Sequence, residues 1–368
     1  MRKRTPVKTV KAIGAILAAV IAAALLGMAV LIWVYPAILR GVHNIEAPGI
    51  DLMETLEIGG LQQTLYFRGE NIESPALLLI HGGPGYPEMA FLHDFQYAWE
   101  KDFTVVQWDQ RNAGKTYFLN DPKDVLETMS FERALADAYE VTQHIKQKLN
   151  KDKVVILGYS WGSVLGSALA QAYPQDVSAY IGLGQAVNMR ENERVGYEAV
   201  LEAARAAGNG KDIAVLEALA PYPPPEAFNE SFLEQVSTIR PYQAKYKLAD
   251  SGGIGTIMQV LKSPYYTFRD KTYFLSDMLY YQMPLFEYLF DDYDLRHFGT
   301  AYEVPVFYIM GERDYQTPYP LAKDYFNEIS APHKEFFTVP DAGHAAMQDN
   351  KTEFNRILLE EIRPLLDS

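Results

Sequence analysis

Near the start of the chain the residues from Ala12 to Tyr35 include no charge. Alanine, leucine, isoleucine and valine fill the run up to Trp33 and Tyr35. At 1.5 Å per residue such a helix is roughly 36 Å long, enough to cross a hydrocarbon core of about 30 Å. The two aromatics at its end suit the belt found at membrane interfaces. Beyond it the pattern changes: short β-rich apolar runs alternate with helical periodicity, which predicts a mostly parallel sheet with helices on both faces. Strands are predicted at Ala76–Ile80, Phe103–Gln107, Val154–Gly158, Ala179–Gly184, Pro305–Met310 and Glu335–Val339, each ending in polar or glycine-rich residues. Between about Ala186 and Glu303 the alternation gives way to helical, aromatic-rich sequence broken by Tyr222-Pro223-Pro224-Pro225, the mark of a helical insertion between two strands. The expected organisation is a basic tail (1–11), a transmembrane helix (12–35), a linker (36–52), an α/β core (53–186 with 304–368) and a helical cap (187–303).

Charge sharpens the reading of the first helix. The 368 residues carry 33 lysines and arginines against 47 acids, a net −14, and Arg2, Lys3, Arg4, Lys8 and Lys11 precede the apolar run. The body that follows is therefore more acidic still, and nucleic-acid phosphates would repel it. The basic flank predicts that residues 1–11 stay in the cytoplasm, with the rest of the chain outside. A cleaved signal peptide is the competing reading, but its apolar region spans about 7–15 residues and ends in a small-residue cleavage site. Here the run continues through Leu31-Ile32-Trp33-Val34. An uncleaved anchor in a lipid bilayer is therefore expected. The chain has no cysteine, which excludes disulfides, thiolate metal sites and a cysteine nucleophile.

Open α/β sheets bind ligands at the carboxyl ends of their strands. At one such end stands Gly158-Tyr159-Ser160-Trp161-Gly162, following Lys153–Leu157 and opening a helical run from Ser163 to Ala172. This is a nucleophile elbow in its strand–turn–helix context, where glycines allow the sharp turn that lifts Ser160 above the sheet. A serine hydroxyl needs a base, and the base needs a carboxylate to fix its tautomer. Of the seven histidines, His333 and His344 follow the candidate acids. His333 begins a predicted strand at the wrong end of the sheet, whereas His344 lies in the loop after it, so His344 is the expected base. Asp314 is the expected acid, with Glu312 and Asp341 as alternatives. An oxyanion needs backbone N–H donors: Trp161, directly after the serine, and Gly83 in His81-Gly82-Gly83-Pro84-Gly85 are expected to supply them. His81 has no partner at ligand spacing, and Asn112-Ala113-Gly114-Lys115-Thr116 lacks the first glycine of a phosphate loop. No metal and no cofactor are expected.

Taken together, His81-Gly82-Gly83-Pro84-Gly85, Trp108-Asp109-Gln110-Arg111 with Gly114, Gly158–Ser163, Asp314 with Thr317-Pro318, and Gly343-His344 resemble the proline iminopeptidase family of α/β-hydrolases. The resemblance spans about residues 60–365. It implies the α/β-hydrolase fold and release of an N-terminal residue, often proline, from short peptides beneath a helical cap. It also implies that Asp109 and Arg111 support the oxyanion loop, while cap carboxylates hold the substrate ammonium. Glu191, Glu193 and Glu287 are candidates for that last role. The chain departs from the family at Tyr159 and Asn112, where glycines are usual, and at Tyr315, where some members place an amine-binding glutamate. A carboxylesterase or amidase acting on small apolar substrates is the alternative in the same reaction class. A slow ligand sensor that retains the triad is the alternative outside it.

Overall fold

A computed structural model describes residues 7–249 and 254–366. Part of the expected basic tail, residues 1–6 with Arg2, Lys3 and Arg4, lies outside the described residues. Eight strands form one sheet: β1 (Ile50–Ile58), β2 (Leu61–Gly69), β3 (Ala76–Ile80), β4 (Thr104–Asp109), β5 (Val154–Tyr159), β6 (Val177–Leu183), β7 (Val306–Gly311) and β8 (Lys334–Val339). Their spatial order is β1-β2-β4-β3-β5-β6-β7-β8. β2 pairs antiparallel with both β1 and β4, and every other pairing is parallel.

The six predicted strands are all present, with ends within two residues of expectation. β1 and β2 were not predicted. They form a hairpin around Gly59-Gly60, both at positive φ (54° and 76°), the backbone a two-residue hairpin turn requires.

The central strands carry side chains into two separate cores, as a sheet covered on both faces must. Leu78 and Ile80 of β3 pack on one face with Ile156 and the helices Phe131–Leu149 and Trp161–Ala172. Leu77 and Leu79 pack on the other with Val155, Leu157 and the C-terminal Phe354 and Leu358. Between β6 and β7 the elements among the described residues are helical, including Met189–Ala206, Glu230–Lys245 and Ile254–Lys262. The two ends of this helical segment are tied together, since Leu295 N–H donates to Val187 O at 2.8 Å and Tyr293 OH to Ala186 O at 3.0 Å.

The N-terminal helix runs as Val7–Ala29, a π-helical turn Val30–Val34, and Tyr35–Val42. It is long and apolar enough to cross a bilayer, and its apolar stretch is not buried. Its end corrects the expected boundaries: helix continues to Val42, and β1 begins at Ile50, so the segment read as a linker is mostly structured. The expectation ended the helix with the apolar run at Tyr35, but Pro36 sits in the first turn of Tyr35–Val42, where a missing N–H is tolerated.

Candidate active site

Ser160 sits at φ 55°, ψ −118° between β5 and the helix Trp161–Ala172. Such a backbone costs on the order of 1–3 kcal/mol and persists only where its surroundings impose it. Here Ser160 N–H donates to Leu183 O (2.9 Å), and Ser160 O accepts from Ser163 N–H (2.8 Å) and Ser163 Oγ (2.6 Å). The flanking glycines are needed for space: a Cβ on Gly158 would lie 2.3 Å from Gly162 O, and one on Gly162 would lie 1.9 Å from Ile80 O.

His344 Nδ1 lies 2.9 Å from Asp314 Oδ2, and both residues are buried. Two adjacent loops fix this pairing. Arg313 N–H donates to Ala342 O (2.9 Å) and Glu312 N–H to Val339 O (3.0 Å), while Gly311 and Gly343 approach so closely that a Cβ on Gly311 would fall 2.0 Å from Gly343 O. The carboxylate of Asp314 also accepts from the N–H groups of Gln316 (3.0 Å) and Thr317 (2.9 Å) and from Thr317 Oγ1 (2.8 Å). The imidazole lies against the Tyr159 ring (centroids 5.2 Å apart) and against Gly184, where a Cβ would come within 3.1 Å of Nδ1.

The alternative residues lie elsewhere. Glu312 accepts from Asp341 N–H (3.1 Å), Asp341 pairs with Arg313, and His333 is exposed at the N-terminal end of β8.

Ser160 and His344 line one cavity of about 480 Å³ together with Gly82, Gly83 and Tyr159. Gly82 lies against the serine, where a Cβ would meet Ser160 Cβ at 3.1 Å. Trp161 is the first residue of its helix, at the positive end of the helix dipole. Its indole is buried and donates to Gln110 Oε1 at 3.1 Å.

Support of the 81–85 loop runs mainly through residues the sequence reading passed over. Gln110 Nε2 donates to His81 O (3.0 Å), and Tyr273 OH bridges Gly85 O (2.7 Å) and Asn112 O (3.0 Å). Gln282 Nε2 donates to both Arg111 O and Asn112 O, each at 3.1 Å. Gln110 was visible in its motif, but Tyr273 and Gln282 had no sequence signal. The side chains of Asp109 and Arg111 are engaged elsewhere. Asp109 Oδ2 accepts from Lys115 N–H (2.7 Å) and Tyr266 OH (2.6 Å), and burial raises its carboxyl to about 7. Arg111 pairs with Asp137 and donates to Gly59 O at 2.6 Å and Thr128 Oγ1 at 2.9 Å. Burial pushes the His81 imidazole down to about 4. It is therefore neutral near pH 7, with Nε2 accepting from Gln110 N–H and Nδ1 donating to Gly82 O.

None of the three glutamates proposed to hold an amine lines this cavity. Glu193 is buried but paired with Arg240 and Tyr222, Glu191 pairs with Arg296 (3.1 Å), and Glu287 is exposed. The carboxylates that do line it are Glu88, Asp94 and Asp349. Among the described residues no group of acids and histidines has metal-binding geometry.

A family model for the alpha/beta hydrolase fold matches residues 75–351, most of the chain. The chain belongs to the alpha/beta hydrolase fold family. Within this family it is similar to a protein named probable aminopeptidase from Bacillus subtilis, 27% identical over 86% of this chain and 98% of the relative. It is also similar to a probable proline iminopeptidase from Leptolyngbya boryana, 24% identical over 80% of this chain and 88% of that protein. Among solved structures, a proline iminopeptidase-related protein from Thermus thermophilus shares the fold with a TM-score of 0.59 at 21% identity, covering 86% of this chain and 99% of that one.

Proposed function

We propose that this alpha/beta hydrolase is a membrane-anchored serine aminopeptidase of the proline iminopeptidase type, releasing N-terminal residues from short peptides through an acyl-enzyme. The observation that carries the reading is the convergence on one cavity of a positive-φ serine, the buried His344–Asp314 pair and the Gly82–Gly83 loop. In this reading His344 Nε2 takes the Ser160 proton as Oγ attacks the scissile carbonyl. Asp314 holds Nδ1–H and stabilises the imidazolium. The oxyanion is received by the N–H groups of Gly83 and Trp161, each worth roughly 3–4 kcal/mol of barrier. His344 then gives its proton to the departing amine, and water enters by the reverse sequence to release the acyl group.

The names of the relatives favour a peptidase, and the cavity supplies a physical reason. Glu88, a buried carboxylate in the wall that also holds Ser160, is the group we assign to the substrate ammonium. A cavity of about 480 Å³ suits a few residues rather than a long chain. Anchoring by the N-terminal helix is supported by its length, hydropathy and exposure, and by the basic residues before it.

The test is hydrolysis of proline, alanine and leucine anilides by the full chain, compared with their N-acetylated forms and a short-chain ester, with Ser160→Ala as control. Preference for the free amines, lost in the control, is the expected result. Equal or faster turnover of acetylated substrates and esters would replace the aminopeptidase by an esterase on the same triad.

A further inference from the structure

The helix Ile254–Lys262 stands between the N-terminal helix and the cavity. On one side it packs against Val30–Val34, and the Lys262 ammonium lies 5.8 Å from the centre of the Tyr35 ring. Its Gly255, Thr256 and Gln259 line the cavity that holds Ser160. The end of the N-terminal helix is fastened to the body. Arg68 Nη2 donates to His43 O (2.8 Å), His43 stacks on Tyr97 (centroids 3.6 Å apart), and the Arg40 guanidinium lies 5.9 Å from the centre of the Tyr265 ring. The orientation of the body relative to the helix is therefore set by contacts.

If the apolar run ending at Tyr35 crosses the bilayer, Val30–Val34 forms its last turn and lies at the outer edge of the hydrocarbon. A helix packed against that turn lies at the same depth. Two exposed side chains are available there, one on this helix and one on the turn that Lys271 ties to it by donating Nζ to Leu261 O at 2.8 Å. Ile257, on this helix, is 55% exposed. Leu275 is 83% exposed and follows Phe274, whose ring packs edge-on against Tyr86 and Phe91 of the cavity wall. Charge agrees as well: half-buried Lys262 lies over Tyr35, and exposed Arg40, one turn further along the N-terminal helix, lies over Tyr265, so two cations follow the end of the apolar run, where cations meet lipid phosphates.

Building on the reading of the N-terminal helix as a membrane anchor, we infer that the helix Ile254–Lys262 and the Leu275 turn form a lipid-contacting surface that holds the mouth of the active-site cavity against the outer face of the bilayer. Amphiphilic molecules in that leaflet reach such a mouth without first entering bulk water.

The absence of cysteine permits a clean test. Ile257→Cys, Leu275→Cys and, at the opposite end of the sheet, Lys153→Cys are each labelled with an environment-sensitive fluorophore. The full chain is then reconstituted into phosphatidylcholine vesicles containing a lipid-borne quencher. The expected result is a blue shift and loss of emission at positions 257 and 275, with neither at 153. Labels at 257 and 275 that emit as in water while the protein floats with the vesicles would overturn the surface and leave the anchor intact. Protein that does not float with the vesicles would refute the anchor itself, and this surface with it.

Discussion

Gln110 and His81 are joined twice: the Gln110 backbone N–H donates to His81 Nε2 at 3.2 Å, and its side-chain amide donates to His81 O at 3.0 Å. The same side chain accepts from the Trp161 indole at 3.1 Å. One residue thus ties the loop carrying Gly83 to the helix beginning at Trp161, the two proposed sources of oxyanion donors.

Gln110→Ala should therefore lower kcat more than it raises KM, because the donors matter most when charge develops on the carbonyl oxygen. It also leaves two buried groups without partners, at about 1–3 kcal/mol of stability each. Steady-state kinetics with thermal melts checks this. A change confined to Tm, with kcat intact, would reduce Gln110 to a packing residue.

Gly162→Ala places a methyl group where Ile80 O stands. The clash is with backbone, which has little room to move, so destabilisation of about 1–3 kcal/mol or more is expected. Chemical denaturation measures it. Turnover should fall as well, since Ile80 leads directly into the 81–85 loop.

Asp109 gives a dependence on pH with a definite sign. Its carboxyl is raised to about 7 by burial, above an unfolded value of about 3.9. Between these values the native state holds a proton that the unfolded state has lost, so this group's contribution to stability falls as pH rises through the window. Asp109→Asn keeps an oxygen to accept from Lys115 N–H and Tyr266 OH but does not titrate. Its Tm relative to wild type should rise between about pH 5 and pH 7.5. A Tm difference independent of pH would contradict the assignment.

Glu88→Gln tests the ammonium site. Loss of a charge-assisted contact should raise KM for free-amine anilides by an amount equivalent to about 1.5–3 kcal/mol, with little effect on N-acetylated substrates. Equal effects on both classes would move the amine to another group in the cavity wall.

Much of this arrangement is legible in the sequence because it depends on short-range constraints. The strand–turn–helix context pointed to Ser160, chain order left His333 and His344, and position in the loops after the last two strands favoured His344 and Asp314, which the fold brings to 2.9 Å of each other. β1 escaped notice because its acids fall on both faces, Asp51 and Glu57 on one and Glu54 on the other, which breaks the apolar alternation of a half-buried strand. What the sequence could not convey is tertiary pairing. Glu193 looked available until Arg240 was brought against it, and Glu88 passed unremarked in a loop until the fold turned it into the cavity wall. Tyr273 and Gln282 reach the 81–85 loop from far along the chain, with no local pattern to announce them.

The most direct test of the central assignment is covalent. The full chain is treated with a fluorophosphonate and its intact mass measured alongside Ser160→Ala and His344→Ala, with peptide mapping of the adduct. One adduct on Ser160 in the wild type, none in Ser160→Ala and strongly slowed labelling in His344→Ala is the expected result. An adduct on another residue, or equal labelling of Ser160→Ala, would contradict Ser160 as the nucleophile.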